Sequence, residues 1–469
     1  MRFIHQPYTY VNKALKSEQN YVPLVLLHIV FGIFVYMVPP ARLFFFLSLI
    51  VYFFIRIILA PSHKKTLEVL LACCYIIGYE SFFRMTSGGL FYEISKYLVI
   101  LFLLFGMFYK GLSGNGYPYF IYLILLVPAV LMASINLDYD LRFRTSVAFV
   151  LSGPVCLGIS ALFCYDKQLT RNEMLELILY MCLPVISMTT YLFLYTPSIK
   201  EVLSGTDSNF AASGGFGPNQ VASLLGLGIF AMTVRLFLKS PTLFLKLFNG
   251  ALLGLITFRA IVTFSRGGVF AAILMIAAFL VVLYVSVSYR QRQNIIVSFV
   301  LFCMLGVVTW VVSANQTNGL IENRYTNENA AGIEKEDAST GRVDLFVDEI
   351  EGFLQHPFLG VGASGMKEAR LEKEGTIIAS HNEISRLLAE HGLLGIFILL
   401  ILLIKPMAYR TRHKGNLFFY AFLVFWFATI NHSAMRLAAP GFVYALALIN
   451  VTHEKKRPIH RQSSTKRLQ

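Results

Sequence analysis

His381 stands in Ser-His-Asn-Glu-Ile-Ser-Arg-Leu-Leu-Ala-Glu-His-Gly-Leu-Leu-Gly, residues 380–395, immediately before an apolar run. Ser380 and Glu383 have capping-box spacing, and Ile384, Leu387 and Leu388 share one face, so a helix is predicted from Asn382 or close to it. A histidine at that end faces the positive pole of the helix. Its protonated form is disfavoured there, and near pH 7 it stays able to accept a proton. The same exposed N–H groups attract phosphate oxygens. His381 is therefore a candidate base, with simple capping or packing as the plainer alternative. His391, at the far end of the same helix, reads as an interfacial residue.

Arginines provide the second chemistry. Arg266 in Thr-Phe-Ser-Arg-Gly-Gly and Arg342 in Ser-Thr-Gly-Arg-Val-Asp flank apolar runs, and Arg259 lies deeper in the run before Arg266. A charge in lipid is costly, so such residues normally face the protein interior or a wet cavity. Guanidinium binds phosphate oxygens in bidentate fashion and cannot lose its charge, so paired arginines suit a pyrophosphate. Snorkelling at the interface for Arg266, and ion pairing with Asp344 or Glu349 for Arg342, are the alternatives. Glu80, Arg84, Glu93 and Lys96 could form an ion relay, but the Thr-Ser-Gly-Gly turn at 86–89 favours charges that pair with one another near an interface. Gly214-Gly215-Phe216-Gly217-Pro218 lacks the Gly-Lys-Ser/Thr of a phosphate loop and instead breaks the chain before a span near Asn219.

These residues are held by a very apolar chain. It has 469 residues, 56% of them hydrophobic and 14% charged, with a mean hydropathy of +0.64, which predicts a polytopic membrane protein. Apolar runs fall near 21–38, 42–60, 67–83, 91–109, 118–136, 146–164, 174–195, 219–238, 242–262, 268–288, 295–314, 393–409, 417–434 and 439–452, or about 12 to 14 transmembrane helices. The first reads as an uncleaved span rather than a signal peptide. Cys73, Cys74, Cys156, Cys164, Cys182 and Cys303 lie in or beside these runs without metal-site spacing, so neither a metal nor a disulfide framework is expected.

The net charge of +14 could suggest nucleic acid, but residues 315–392 hold 14 of the 26 acidic and 7 of the 40 basic residues, a local balance of −7. Lys64, Lys65, Lys110, Lys167, Arg171, Lys239, Arg290, Arg292, Arg410, Arg412 and Lys414 fall in alternate connections, the pattern of cytoplasmic loops, so no nucleic-acid partner is expected. The expected organisation is an N-terminal transmembrane region at 1–314, a large external loop at 315–392, C-terminal transmembrane helices at 393–452 and a basic cytoplasmic tail at 453–469 that touches anionic lipid. Within the loop, Val343, Phe346, Val347, Ile350, Phe353 and Leu354 predict a helix at about 341–355. Ser339-Thr340 is a plausible cap and Gln-His-Pro-Phe-Leu-Gly-Val-Gly a stop.

Four patches, taken in order, resemble the O-antigen ligase and O-antigen polymerase superfamily: Gly-Gly-Phe-Gly-Pro-Asn-Gln-Val-Ala (214–222), Phe-Ser-Arg-Gly-Gly (264–268), Thr-Gly-Arg-Val-Asp-Leu-Phe with His-Pro-Phe-Leu-Gly-Val-Gly (340–362), and 380–395. The resemblance covers 200–395 and implies an all-α polytopic glycosyltransferase of the C-type architecture in the bacterial inner membrane. Both termini would be cytoplasmic and the active site periplasmic. It implies a metal-independent, cofactor-free, inverting transfer of a glycan from an undecaprenyl-pyrophosphate donor to a hydroxyl of a growing glycan or of lipid A–core. His381 corresponds to the family's essential histidine, and Arg266 and Arg342 occupy its arginine positions. Asn219, Asn382 and Glu390 fall in the matching motifs as supporting residues. Many members carry an arginine shortly before the Pro-Asn pair. Here only Lys200 lies upstream, so Arg259 is expected to share in holding the donor. The reading from another class is a glycolipid flippase or ion-coupled transporter.

Overall fold

The computed structural model describes residues 18–137, 141–337, 339, 341–375, 378–433 and 435–452; the basic tail expected at 453–469 lies outside them. In a bilayer each backbone N–H and C=O must be paired within its own segment, so the apolar runs become helices. The first eight are α1 (Tyr21–Met37), α2 (Ala41–Leu59), α3 (Lys65–Met85), α4 (Ile94–Lys110), α5 (Tyr117–Leu125), α6 (Val127–Asn136), α7 (Leu141–Cys164) and α8 (Arg171–Tyr195). They are followed by α9 (Pro218–Leu238), α10 (Leu243–Ile261), α11 (Arg266–Ser286) and α12 (Tyr289–Gln316). A cap of short helices comes next: α13 (Leu320–Thr326), α14 (Arg342–Gln355), α15 (Gly365–Glu374) and α16 (Glu383–His391). The chain returns through α17 (Leu393–Arg412), α18 (Phe419–Ser433) and α19 (Ala439–Leu446).

The protein is an all-α polytopic membrane protein. With α5 and α6 counted as one stretch, ten helices among the described residues are long and apolar enough to cross a membrane, and α1 and α18 are shorter apolar helices. Helix α4, of 17 residues, and α19, of 8, fill the remaining hydropathy positions. Helix α19 packs against α7 and α18 and is buried throughout, so bilayer thickness does not set its length. The middle of the bundle is α9, with 89% of its span buried, beside α3 and α8; α12, at 11%, is left to lipid.

The connections sort to two ends. At one, Lys110 Nζ donates to Ser62 Oγ (3.2 Å), Lys167 Nζ donates to the carbonyls of Lys110 (3.1 Å) and Gly111 (2.9 Å), and His413 approaches Asp166 (3.4 Å). A small parallel pair, β1 (Gln168–Thr170) and β2 (Asn450–Thr452), closes the same end and was not foreseen from sequence, because three-residue strands leave no periodic signal. At the other end the α8–α9, α10–α11 and α18–α19 connections meet the cap. Asn209 N–H donates to Thr263, Thr206 to the Glu328 carbonyl, and Arg436 to the Ser380 carbonyl.

Helix α14 forms where its spacing predicts and enters through Gly341 (φ 76°), with Asp337 accepting the Ser339 (2.7 Å) and Gly341 (2.5 Å) N–H groups and Ser339 Oγ accepting the Val343 N–H (3.4 Å); Thr340 of the expected cap lies outside the described residues. Most of its apolar stripe faces outward: Val343, Phe346, Val347 and Leu354 are 59%, 41%, 47% and 68% exposed and Ile350 and Phe353 are half-buried, whereas Glu349 and Gly352 are buried. The inner face is taken up by polar anchoring and by close contact of Gly352 with Met366 and Ala389.

Candidate active site

Helix α16 begins with Asn382 as its cap, the side-chain Oδ1 accepting the N–H groups of Ile384 (2.8 Å) and Ser385 (3.3 Å). The expected Ser380/Glu383 capping box does not form. Ser380 Oγ donates to the Asn382 carbonyl (2.8 Å), and Glu383 is engaged by Arg386 and by the Met435 N–H (3.3 Å). A cap two residues later than Ser380 leaves His381 on the turn just outside the helix.

Three elements fix that turn. From α14, Glu349 accepts the hydroxyls of Ser385 (2.5 Å) and Ser380 (3.3 Å), while Arg370 of α15 donates to its other oxygen (3.0 Å). From α18, Asn431 Oδ1 accepts from Asn382 Nδ2 (3.1 Å). From the α18–α19 connection, Arg436 Nη2 donates to the carbonyls of Ala379 (3.2 Å) and Ser380 (2.8 Å). The far end of α16 is held too. Glu390 pairs with Arg386, which also grips Glu383, and it accepts the Ser364 N–H (3.0 Å). The Pro-Phe-Leu-Gly strap then crosses the helix end so closely that a Cβ at Gly360 would lie 2.4 Å from the Glu390 backbone. His391 is fully buried, which corrects its reading as an interfacial residue.

His381 is half-buried, and its Nδ1 has no hydrogen-bond partner among the described residues. Burial first, then the charges of Arg436 and Arg342, push its pKa down to about 4, so the imidazole is neutral at pH 7. The expectation of a neutral base thus rests on burial and two guanidinium groups besides the helix pole.

Arg342, at the first turn of α14, is held below the usual arginine range by burial and by Arg266. Arg324 on α13 is lowered in the same way by burial, Arg266 and Arg342, although Asp207 stands 3.6 Å away as a counter-charge. Arg436 is lowered by burial and Arg342. Arg266 Nη1 donates to the Arg324 carbonyl (3.3 Å), and Arg324 Nε to the Phe264 carbonyl (3.1 Å). Arg342 of α14 thus lies within electrostatic reach of Arg266 of α11, Arg324 of α13 and Arg436 of the α18–α19 connection, and Arg342 and Arg436 act on His381. Arginines stay protonated, so their mutual repulsion is best relieved by a multiply charged anion.

Of the residues expected from sequence, the structure brings His381, Arg342, Arg266 and Asn382 together. Asn219, at the start of α9, accepts from Ser265 (2.7 Å) and so ties the Pro-Asn motif to the Arg266 motif. Beneath that tie α9 and α11 touch, and a Cβ on Gly268 would fall 2.4 Å from the Ala222 backbone. Glu390 braces α16 from its far end. Arg259 is fully buried in α10, where it donates to the carbonyls of Ala212 (2.9 Å) and Thr196 (3.4 Å) and lies over Phe193.

Sequence reasoning missed Arg324 and Arg436. The signal for Arg436 was a lone arginine in a short connection that the alternation of spans puts on the same side as the acidic loop. The charges at 80–96 pair with one another, Arg84 with Glu80 (2.7 Å) and Lys96 with Glu93 (2.5 Å). They also reach the site, since Arg84 donates to the Arg436 carbonyl (3.2 Å) and Glu80 accepts the Ala438 N–H (2.8 Å). No group of His, Cys, Asp and Glu among the described residues could hold a metal ion.

Residues 250–400 match the family model described as O-antigen ligase. The match supports assignment of the chain to the O-antigen ligase and polymerase superfamily, and it spans Arg259, Arg266, Arg324, Arg342, His381 and Glu390 while leaving Asn219 and Arg436 outside. No curated protein matches the chain.

Proposed function

We propose that this chain is a membrane glycosyltransferase that moves a glycan from undecaprenyl pyrophosphate to a hydroxyl acceptor with inversion at the anomeric carbon. The observation that carries the reading is a neutral histidine on a turn held by Glu349, Asn431 and Arg436, with Arg436 and Arg342 beside it and Arg266 and Arg324 next to Arg342 in turn. The acceptor O–H gives its proton to the imidazole of His381 as its oxygen bonds to the anomeric carbon. The bond from that carbon to pyrophosphate oxygen breaks, and the electron pair leaves with undecaprenyl pyrophosphate. Arg266, Arg342, Arg324 and Arg436 stabilise the charge that develops on the departing phosphate. Arg259 contributes by fixing the 196–212 loop behind Arg266. Glu349, Asn382, Asn219 and Glu390 hold the elements in place.

In this reading the cap faces the periplasm, the basic end faces the cytoplasm, and the donor enters from the inner membrane. The acceptor is a terminal sugar in a polymerase or lipid A–core in a ligase. The test is reconstitution of the purified protein with an undecaprenyl-pyrophosphate-linked glycan and a hydroxyl acceptor in the presence of a chelator. The expected result is a new linkage of inverted configuration together with free undecaprenyl pyrophosphate; an unconsumed donor with either acceptor class would overturn the proposal.

A further inference from the structure

Helix α14 presents three faces rather than two. At about 100° per residue, Leu345, Glu349 and Gly352 fall on one side and pack into the cap. Asp344 and Glu351 fall on a second side and are exposed. Val343, Phe346, Val347 and Leu354 fall on a third and are also exposed. A helix in water buries its apolar stripe and exposes its polar one. Here the cap takes the side that bears Glu349, and the apolar and acidic sides are both left outside.

The apolar side does not end with the helix. The chain leaves α14 into Phe358 and Leu359, which are 73% and 43% exposed. The Leu393 N–H donates to the Pro357 carbonyl (2.7 Å), which pins this segment to the first residue of α17, where Leu393 and Phe397 are exposed on the lipid-facing side of a membrane span. On the other flank, Asn136 Nδ2 donates to the Val361 carbonyl (3.1 Å), and Ile135 of α6, 75% exposed, belongs to a second membrane-facing helix. Exposed apolar residues of two spans thus flank the segment that leaves α14, with the exposed Gln355 and His356 between Leu354 and Phe358.

We infer that α14 is an interfacial helix, with its apolar side sunk in the membrane surface at the cap end of the bundle and its acidic side in water. Apolar burial of this kind places a helix at the headgroup and acyl-chain boundary. Because Arg342 is its first residue and Glu349 grips the turn of His381, the membrane surface then sets the height of both groups. The inference stands whichever face of the membrane the cap occupies and whether or not the transfer reaction is as proposed.

The test uses the full chain carrying Cys303→Ser, since Cys303 is the exposed cysteine and the other five are buried. Single Phe346→Cys and Glu351→Cys variants carry an environment-sensitive fluorophore in phosphatidylcholine vesicles. Lipids with a nitroxide high on the acyl chain, or aqueous iodide, serve as quenchers. The label at 346 is expected to emit to the blue and lose most of its emission to the lipid nitroxide, while the label at 351 loses it to iodide. Leu354→Cys repeats the first result if the label at 346 disturbs folding. Equal iodide quenching at 346 and 351 would overturn the inference. So would a label at 346 that neither quencher reaches, because protein, such as a second copy of the chain, would then cover the helix.

Discussion

Arg436→Ala removes a residue that no sequence motif singled out, and it should do two separable things. Its guanidinium donates to the carbonyls of Ala379 and Ser380, at 3.2 and 2.8 Å, and so holds the peptide that leads into His381. A hydrogen bond from a charged donor contributes about 1.5–3 kcal/mol, but the residue is only part-buried and water can replace some of what is lost. A net loss of about 1.5–3 kcal/mol for the pair is therefore the reasonable range, and at about 1.4 kcal/mol per tenfold it corresponds to roughly 10- to 100-fold slower transfer. The same charge helps to hold the His381 pKa down at about 4.

The sign follows from the direction of that shift. A histidine with a lowered pKa is an active base above it, and activity disappears as pH falls through it. The wild-type acid limb should thus lie near pH 4, and in Arg436→Ala it should move upward towards, without reaching, the ordinary value of 6.5, because burial remains. Arg436→Lys keeps the charge, so the limb should stay in place, while the ammonium, carried on a different stem from the planar guanidinium, does not reproduce the position of Nη2 between the carbonyls of Ala379 and Ser380 and leaves the rate intermediate. The assay is kcat/KM for transfer across pH on protein matched for folded yield. A wild-type rate with an unmoved limb in Arg436→Ala would refute the assignment of this residue to the site.

Arg266→Lys should lose most transfer although its charge is kept, since an ammonium cannot grip phosphate as a planar fork does; wild-type turnover of the purified variant would place the phosphate elsewhere. Glu80→Gln removes the one carboxylate paired with the Arg84 side chain while its bonds to Gln220 and to the Tyr92 and Arg436 carbonyls remain, and loss of a buried partner costs up to about 3–5 kcal/mol, so a lower melting temperature is expected, together with slower transfer through the displaced Arg436 segment; an unchanged Tm would contradict the bracing role. Cysteine labelling should mark Lys373 as external and Arg412 as cytoplasmic in intact cells, and labelling of Lys373 from the cytoplasm would rule out the proposed orientation.

The spans, the cap and the positions of His381, Arg266 and Arg342 were legible because each is written locally, as an apolar run, a charge imbalance or a short motif. What was not legible depends on contacts between distant segments. Arg436 acquires its place because the α18–α19 connection returns to α3, where Glu80 takes the Ala438 N–H and Arg84 the Arg436 carbonyl. Arg324 looks like any loop arginine until α13 folds over Phe264. Ser380 and Asn382 both suit a helix cap; the Asn382 side chain takes the Ile384 and Ser385 N–H groups, while the Ser380 hydroxyl is used on the Asn382 backbone and on Glu349 of another helix. The spacing of α14 revealed a helix but not which side would be buried, since that is decided by Arg370 and the two serines that Glu349 must satisfy.

The most direct test of the central claim is glycan transfer by purified His381→Ala, measured beside donor binding. A base contributes about 10²–10⁴-fold to rate, so transfer should fall by that factor while the lipid-linked donor still binds through the arginines with little change. Transfer at the wild-type rate with donor binding intact would contradict the claim that His381 takes the acceptor's proton.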